Sequence, residues 1–162
     1  MSSSKHTLVA LVMDKPGVLT KVASLFRRRG FNIESIAVGP SEEPGVSRMT
    51  MVVLGNSAEV EQVRKQLDKL IEVVKVFNIA GDSMIARELA LIKVKTTPSN
   101  RSEVIEVVSV FRANIVDIAP DSLTVEATGD EDKLESLLRL LRHFGIKEIS
   151  RTGQIAMTRG MV

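Results

Sequence analysis

Short apolar runs alternate along the chain with stretches in which apolar residues recur every three or four positions, a pattern that predicts strands alternating with helices. In the first half, strands are predicted at residues 7–13, 32–38, 46–54 and 73–79. One helix is predicted after the first strand and another after the third. This βαββαβ order is that of a ferredoxin-like unit, in which two crossovers place both helices on one face of a four-stranded antiparallel sheet.

The two predicted helices of the first half carry start and stop signals. The first follows the turn Asp14-Lys-Pro-Gly17 and ends at the charge cluster and glycine of Arg27-Arg-Arg-Gly30. The second begins after Asn56, which is predicted to form a capping box with Glu59. The inward face of the first helix is predicted to hold Val18, Leu19, Val22, Ala23, Leu25 and Phe26.

The second half of the chain repeats this order, with a helix after the first and after the third of four strands. These strands are predicted at residues 89–95, 115–119, 123–128 and 146–150. Residues 81–88 contain Gly81-Asp-Ser83 and show no strong periodicity, so we place a linker there. The predicted fold class is therefore α+β, with two tandem ferredoxin-like domains at residues 1–80 and 89–162.

The helices of the second half have signals of their own. Asn100 and Glu103 are predicted to cap the first of them, and Asp130 starts the second, which Gly145 ends. The first is predicted to turn inward the side chains of Val104, Ile105, Val108 and Phe111. The second is predicted to bury Leu134, Leu137, Leu138, Leu141 and Phe144.

Local sequence similarity supports the repeat and also shows where the halves differ. Residues 22–26 (Val-Ala-Ser-Leu-Phe) parallel residues 107–111 (Val-Val-Ser-Val-Phe), and Asn32-Ile33 parallels Asn114-Ile115. Before its first helix the first half has Asp-Lys-Pro-Gly, whereas the second half has Thr-Thr-Pro-Ser-Asn-Arg. Only the first half therefore has a glycine loop at this position.

Composition and charge exclude several classes of protein. The chain has 162 residues and a mass of 17.7 kDa, is 44% hydrophobic, and contains no apolar run near the ~20 residues of a membrane span. Its formal net charge of +2 is not that of a nucleic-acid-binding protein. The absence of cysteine excludes disulfides and thiolate chemistry, and no metal-binding or nucleotide-binding motif occurs. The polar segment Met1–His6 is too short for a secretory signal, so we expect a cytoplasmic protein.

The turn before the first helix is the best candidate for chemistry. A helix N-terminus presents unpaired N–H groups and a partial positive charge, so the backbone amides of Gly17, Val18 and Leu19 are placed to receive a small anion such as a carboxylate. Gly17 has no Cβ and lets a ligand approach the backbone, while Pro16 stiffens the turn. The alternative is structural, because a Pro-Gly turn before a helix is common.

Two oxygen-bearing side chains near this turn suit an ammonium group. Asp14 lies just upstream, and Asn32 starts the second strand, although an asparagine at a strand start commonly only caps the backbone. A carboxylate site with an ammonium site nearby predicts a free α-amino acid as ligand. The aliphatic residues around the turn, which favour an aliphatic ligand, are Met13, Val18, Leu19 and Ile33.

At these residues the sequence resembles a known family, the regulatory small subunits of acetolactate synthase, whose N-terminal domain is an ACT domain. The resemblance covers nearly the whole chain. The stretches that carry it are Asp14–Leu19, Arg29–Ile36, Ser47–Thr50, Arg87–Val94, Phe111–Ile118, Asp121–Glu126, Arg151–Gly153 and Arg159-Gly160. The Pro-Gly-Val-Leu loop alone is shared by many ACT domains, but its combination with the other stretches is specific to this family.

The resemblance implies a non-catalytic protein without a cofactor of its own. Its partner would be the catalytic large subunit, which uses thiamine diphosphate, Mg and FAD, and which the small subunit activates and makes sensitive to feedback by valine, leucine or isoleucine. Small subunits of the family form homodimers through their ACT domains, joined edge to edge, with effectors at the interface. The effector contacts implied for this chain are Asp14, Gly17, Val18, Leu19, Asn32 and Ile33. Asp14 departs from the family, since well-known bacterial members have Asn there.

The sequence also leaves three alternative functions to consider. The ferredoxin-like sheet is the platform of RNA-binding modules, which stack bases on strand aromatics, but the third predicted strand has no aromatic residue over Arg48–Leu54. An enzyme is the second alternative, but no acidic residue has a candidate base or metal cluster beside it in the sequence. The third is an amino-acid sensor attached to a different enzyme.

Overall fold

The computed structural model describes residues 3–160, which form two units with separate hydrophobic cores. The first unit takes in the chain up to Ile85 and again from Gln154, and the second is Ala86–Gly153. This division differs from the predicted one in two ways. The expected linker is a short 3₁₀ turn, Gly81–Ser83, followed at once by a strand, and the residues after Gly153 belong with the first unit.

The first unit has the predicted βαββαβ order. Its elements are β1 (Ser4–Met13), α1 (Val18–Arg28), β2 (Asn32–Pro40), β3 (Val46–Gly55), α2 (Ser57–Asp68) and β4 (Val73–Ile79). The strands are antiparallel in the order β2-β3-β1-β4, which leaves β2 at one edge of the sheet. The ferredoxin-like prediction is confirmed for this half.

The helices of the first unit begin where the sequence predicts. The side chain of Asn56 accepts from the N–H of Glu59 at 2.9 Å, and Glu59 returns the contact to the N–H of Asn56, which is the predicted capping box. In α1, however, Leu19 and Ala23 are exposed, so the predicted inward face was too wide. They lie one residue, or about 100°, round the helix from Val18 and Val22. The residues that α1 does bury are Val18, Val22, Leu25 and Phe26.

The second unit has the same architecture. Its elements are β5 (Met84–Lys95), α3 (Arg101–Val110), β6 (Asn114–Ala119), β7 (Ser122–Gly129), α4 (Glu131–Leu141) and β8 (Ile146–Arg151). The strands run in the order β6-β7-β5-β8, with β6 at the edge that corresponds to β2. The tandem ferredoxin-like fold is thus confirmed.

Details of the second unit differ from the predictions. Asp130 caps α4 as predicted, accepting from the N–H of Lys133 at 2.9 Å. Asn100 does not cap α3, because its side chain bonds instead to the N–H of Thr97 at 2.7 Å. The side chain of Ile105, predicted to point inward, is exposed.

Backbone hydrogen bonds define which residues of the two units are equivalent. Phe31 donates to the carbonyl of Phe26, and Ala113 donates to that of Val108, each at 3.0 Å, at the ends of α1 and α3. Val22 therefore corresponds to Val104, and the predicted parallel between residues 22–26 and 107–111 is wrong by three residues. The parallel of Asn32-Ile33 with Asn114-Ile115 is confirmed, since a β-bulge follows both pairs.

A short strand near the C-terminus, β9 (Ile155–Thr158), was not predicted, since four residues are too few to show a period. It belongs to the first unit. Within that unit, Arg48 on β3 donates through Nη2 to the carbonyl of Ala156 at 2.8 Å, and the N–H of Arg159 donates to Ser83 at 2.7 Å. Ala156 is buried, so this segment is an integral part of the first unit.

Candidate functional site

The loop between β1 and α1 is shaped by Gly17. Its φ of 84° lies in the left-handed region, where a residue with a Cβ would be strained by about 1–2 kcal/mol. A Cβ at this position would meet no other atom within 4 Å, so backbone conformation, and not crowding, calls for glycine. No side chain caps α1, so the space in front of the helix is left to solvent or to a ligand.

The backbone amides at the start of α1 are only partly engaged. The N–H of Val18 donates to the carbonyl of Lys15 over a long 3.4 Å, and that of Lys21 donates to Gly17 at 3.1 Å. Within residues 3–160, the N–H groups of Gly17 and Leu19 have no backbone acceptor. Two of the three amides predicted to receive an anion are therefore available, and the third is weakly held.

Two neighbouring turns hold the loop in place. The N–H of Met13 donates to the carbonyl of Glu72 at 2.8 Å, and the N–H of Asp14 donates to the carbonyl of Gly45 at 2.9 Å. The carboxylate of Glu72 also accepts a hydrogen bond from the ammonium of Lys21, in the first turns of α1. That bond, together with a backbone hydrogen bond and the positive charges of Lys21 and Lys15, lowers the pKa of Glu72 below its usual value.

Lys21 and Glu72 were not singled out in the sequence. They are 51 positions apart, and neither belongs to a recognisable motif. Only the return of the chain from α2 into β4 brings them together, so the sequence offered no local signal for the pair.

The loop residues predicted as contacts differ in exposure. Asp14 and Gly17 are exposed, and the side chain of Leu19 is 52% exposed. Val18 is only 4% exposed and packs in the core, so it can offer its amide to a ligand but not its side chain. The aliphatic surface next to the loop therefore comes from Leu19 and not from Val18.

Asn32 and Ile33 lie at the opposite end of the sheet from this loop. Asn32 pairs with Leu54 on β3, and Leu54 pairs in turn with Lys5 near the start of β1. The distance along β1 from that level to Met13 is about 26 Å at 3.3 Å per residue. One chain thus keeps the six predicted contacts in two separate groups, one at each end of the sheet.

The outer edge of β2 is free to pair. No strand of residues 3–160 bonds to that edge, and two apolar side chains of β2, Ile36 and Val38, are 37% and 52% exposed. Asn32 is exposed on the same strand, while Ile33 is half-buried against the core. An unpaired edge with apolar side chains is a surface onto which another strand can add.

Within residues 3–160 no three side chains of histidine, aspartate or glutamate come together as a metal ion would require. No helix in that range is long and apolar enough to cross a membrane. The β1–α1 loop and the β2 edge therefore remain the features with a chemical rationale.

Comparison with protein families gives two matches that together span most of the chain. A family model described as the small subunit of acetolactate synthase matches residues 87–160. A model described as the AHAS small subunit-like ACT domain matches residues 8–75. The second match falls in the first unit, where the resemblance placed the ACT domain.

Individual relatives match over nearly their full length. The chain is 55% identical over 160 residues to the acetolactate synthase small subunit of Mycobacterium bovis, covering 99% of this chain and 95% of that protein. It is 55% identical over 156 residues to the probable acetolactate synthase small subunit of Archaeoglobus fulgidus, covering 96% and 98%. The crystal structure of the acetolactate synthase small subunit from Thermotoga maritima matches with a TM-score of 0.91 at 44% identity, covering 98% and 99%.

Proposed function

Since the chain belongs to the family of acetolactate synthase small subunits, we propose that it is the non-catalytic regulatory subunit of that enzyme. It activates a catalytic large subunit, which binds thiamine diphosphate, Mg and FAD. It also makes that subunit sensitive to inhibition by a branched-chain amino acid, with valine the first candidate and leucine and isoleucine the others. The regulatory site is the β1–α1 loop of the first unit.

The observation that carries this proposal is the separation of the loop from Asn32 and Ile33 within one chain. If two copies pair antiparallel through β2, the start of one strand lies beside the end of the other. Pro40, at the end of β2, pairs with Ser47, and Ser47 pairs with Val12 just before the loop. Asn32 and Ile33 of a second copy would thus reach the end of the sheet that carries the loop.

A homodimer of this kind accounts for all parts of an amino-acid ligand. The carboxylate is received by the amides of Gly17 and Leu19, assisted by the helix dipole. The ammonium group is bound by Asp14 and by Asn32 of the second copy. The aliphatic side chain lies between Leu19 and Ile33 of the second copy. Two such sites form in each dimer, related by its twofold axis.

Feedback follows if the ligand binds one relative orientation of the two copies better than another. The coupling free energy of such a device is typically about 1–3 kcal/mol. Because each ligand contacts both copies, binding shifts their orientation and changes the surface offered to the large subunit. The dimer interface is then the two-state element through which the amino acid acts.

The test is an activity assay of the large subunit with and without this chain, each with and without valine. We expect the chain to raise activity and valine to reverse the rise. Asn32→Ala should weaken the valine response at least fivefold while leaving activation intact, because the proposed arrangement places this side chain against the ligand and not against the large subunit. Asn114→Ala, at the equivalent position of the second unit, is the matched control. If isothermal titration shows no binding of valine, leucine or isoleucine to a chain that still activates, the site assignment is wrong.

A further inference from the structure

We propose that the Lys21–Glu72 ion pair is a positioning device for the effector loop, which holds the start of α1 in its ligand-binding arrangement. Glu72 is bound on both sides of that loop. Its carbonyl accepts from the N–H of Met13 before the loop, at 2.8 Å, and its carboxylate accepts from Lys21 after it. A single residue therefore spans the segment that presents the Gly17 and Leu19 amides. The inference rests on the proposed effector site.

The second unit shows which of these contacts the fold itself requires. There the N–H of Lys95 donates to the carbonyl of Gly145 at 2.8 Å, the counterpart of the bond from Met13 to Glu72. The N–H of Thr96 donates to Asp121 at 2.9 Å, as Asp14 does to Gly45 at 2.9 Å. Both units thus hold this end of the sheet with the same pair of backbone bonds.

The ion pair is the part that the two units do not share. Glu72 corresponds to Gly145, which has no side chain, and Lys21 corresponds to Glu103. The pair thus occurs on the glycine-built loop and is missing from the loop without that glycine. The second unit ties the start of α3 to a neighbouring turn in a different way, since Nη2 of Arg101 donates to the carbonyl of Pro120 at 2.9 Å. In the first unit the tie from α1 reaches Glu72, the residue that also bonds the strand before the loop, so one residue fixes both sides of the open loop.

The solvent exposure of the Lys21–Glu72 pair is that of a surface contact and not of a group packed in the core. The Glu72 side chain is 20% exposed and that of Lys21 is 55% exposed, so the pair lies at the surface. An exposed pair adds little to the stability of a whole domain, but it can order the one turn that it ties down. It also occupies the Lys21 ammonium, which leaves the carboxylate of an effector to the backbone amides.

Calorimetry of the full-length chain with valine tests the inference through Glu72→Gln, Lys21→Met and the double variant. We expect each single variant to bind valine about two- to fivefold more weakly, because a more mobile loop loses more conformational entropy when the ligand orders it. The double variant should bind no more weakly than either single one, since both remove the same contact. Asp121→Asn, which breaks the Lys147–Asp121 pair of the second unit, is the matched control and should leave affinity unchanged.

The sign of the Glu72→Gln effect separates this role from its rival. If Lys21 contacted the effector carboxylate directly, freeing it from Glu72 would strengthen binding, and the positioning role would be overturned. Unchanged affinity in Glu72→Gln would overturn it as well. Should the wild-type chain bind no branched-chain amino acid, the proposed function fails, and the inference falls with it.

Hydrogen exchange of the ligand-free protein examines the device independently of any effector. Backbone amides of residues 14–21 should exchange severalfold faster in Glu72→Gln than in the wild type, and Asp121→Asn should leave them unchanged. Equal exchange in all three proteins would show that the ion pair does not order the loop.

Discussion

The loops that precede the first helix of each unit begin alike and end differently. Lys15-Pro-Gly-Val18 in the first unit corresponds to Thr97-Pro-Ser-Asn100 in the second, with a proline at the same place. Gly17 adopts a left-handed conformation, whereas Ser99 does not, since Arg112 is the only residue other than glycine with positive φ in the described part of the chain. The two loops therefore leave the turn with different backbone conformations.

The second loop is closed by its own side chains. Thr97 donates its N–H to Oδ1 of Asn100 at 2.7 Å, and the N–H of Asn100 donates to Oγ1 of Thr97 at 3.3 Å. The hydroxyls of Thr97 and Ser99 are 2.9 Å apart. Polar groups that would otherwise face solvent are thus satisfied within the turn.

The two units thus use one backbone frame in two different ways. Where the loop residues satisfy one another, the turn is a structural connection. Where glycine replaces them and no side chain caps the helix, the same frame leaves the N–H groups of Gly17 and Leu19 without a backbone acceptor. The second unit thus offers an equivalent position at which each substitution in the first loop can be controlled.

The largest effect is expected from a substitution that destabilises the first unit, and it tests whether the two units unfold independently. Ala156→Asp places a charge at a buried position of the first unit and should cost about 3 kcal/mol. Hydrogen exchange under mild urea should show a loss of amide protection in β3 and not in β7. Met157→Asp is the control, because Met157 is 61% exposed and its substitution should cost little. An equal loss in both sheets would show that the units unfold together.

Next in size is the exchange of the loop glycine. Gly17→Val should cost about 1–2 kcal/mol from the left-handed conformation and reduce valine affinity more than tenfold, because the first amides of α1 move. Ser99→Val, at the equivalent position, should leave valine affinity as it is. Urea denaturation and calorimetry measure the two effects. Similar losses of valine affinity from both substitutions would contradict the assignment of ligand binding to the first loop alone.

A smaller effect is expected from opening the closed loop. Asn100→Ala removes the acceptor for the N–H of Thr97 and should destabilise the second unit by about 1 kcal/mol. Activation of the large subunit and the valine response should be unchanged. A weaker valine response in this variant would place an effector function in the second unit.

The smallest effect concerns pH. The hydrogen bond from Lys21 lowers the pKa of Glu72 from its usual 4.5, and the bond from Lys147 lowers the pKa of Asp121 from its usual 3.8. A carboxyl group whose pKa is lower in the folded than in the unfolded state stabilises the fold at pH values above its unfolded-state pKa. This contribution is lost as the pH falls through its folded-state pKa. Carboxyl NMR titration should show Lys21→Met raising the pKa of Glu72 and leaving that of Asp121. A shift of both would mean that the two pairs are coupled.

Regular elements of this protein could be predicted because their signals are local. The strand Val73–Ile79 and the capping box of Asn56 with Glu59 follow from pattern and spacing alone. The Asn100 cap failed although it has the same spacing, because Thr97 competes for its side chain within the turn. A single sequence does not show which of two local partners an asparagine takes.

The candidate site could be predicted only in part. The glycine loop was identified from its residues, but the distance between it and Asn32 was missed. The topology implies that distance. Because α1 runs back across the sheet, β2 begins at the end of the sheet where β1 began, and not at the end where β1 stops. The Lys21–Glu72 pair depends on a contact between distant segments, which no local pattern records.

The C-terminal segment has a consequence for how the protein is made. Residues from Gln154 onward complete the first unit, yet they leave the ribosome only after the whole of Ala86–Gly153. During synthesis, Arg48 must wait for its acceptor on Ala156, which is 108 positions later. The first unit, although its translation begins first, is therefore completed only after the second unit has been translated.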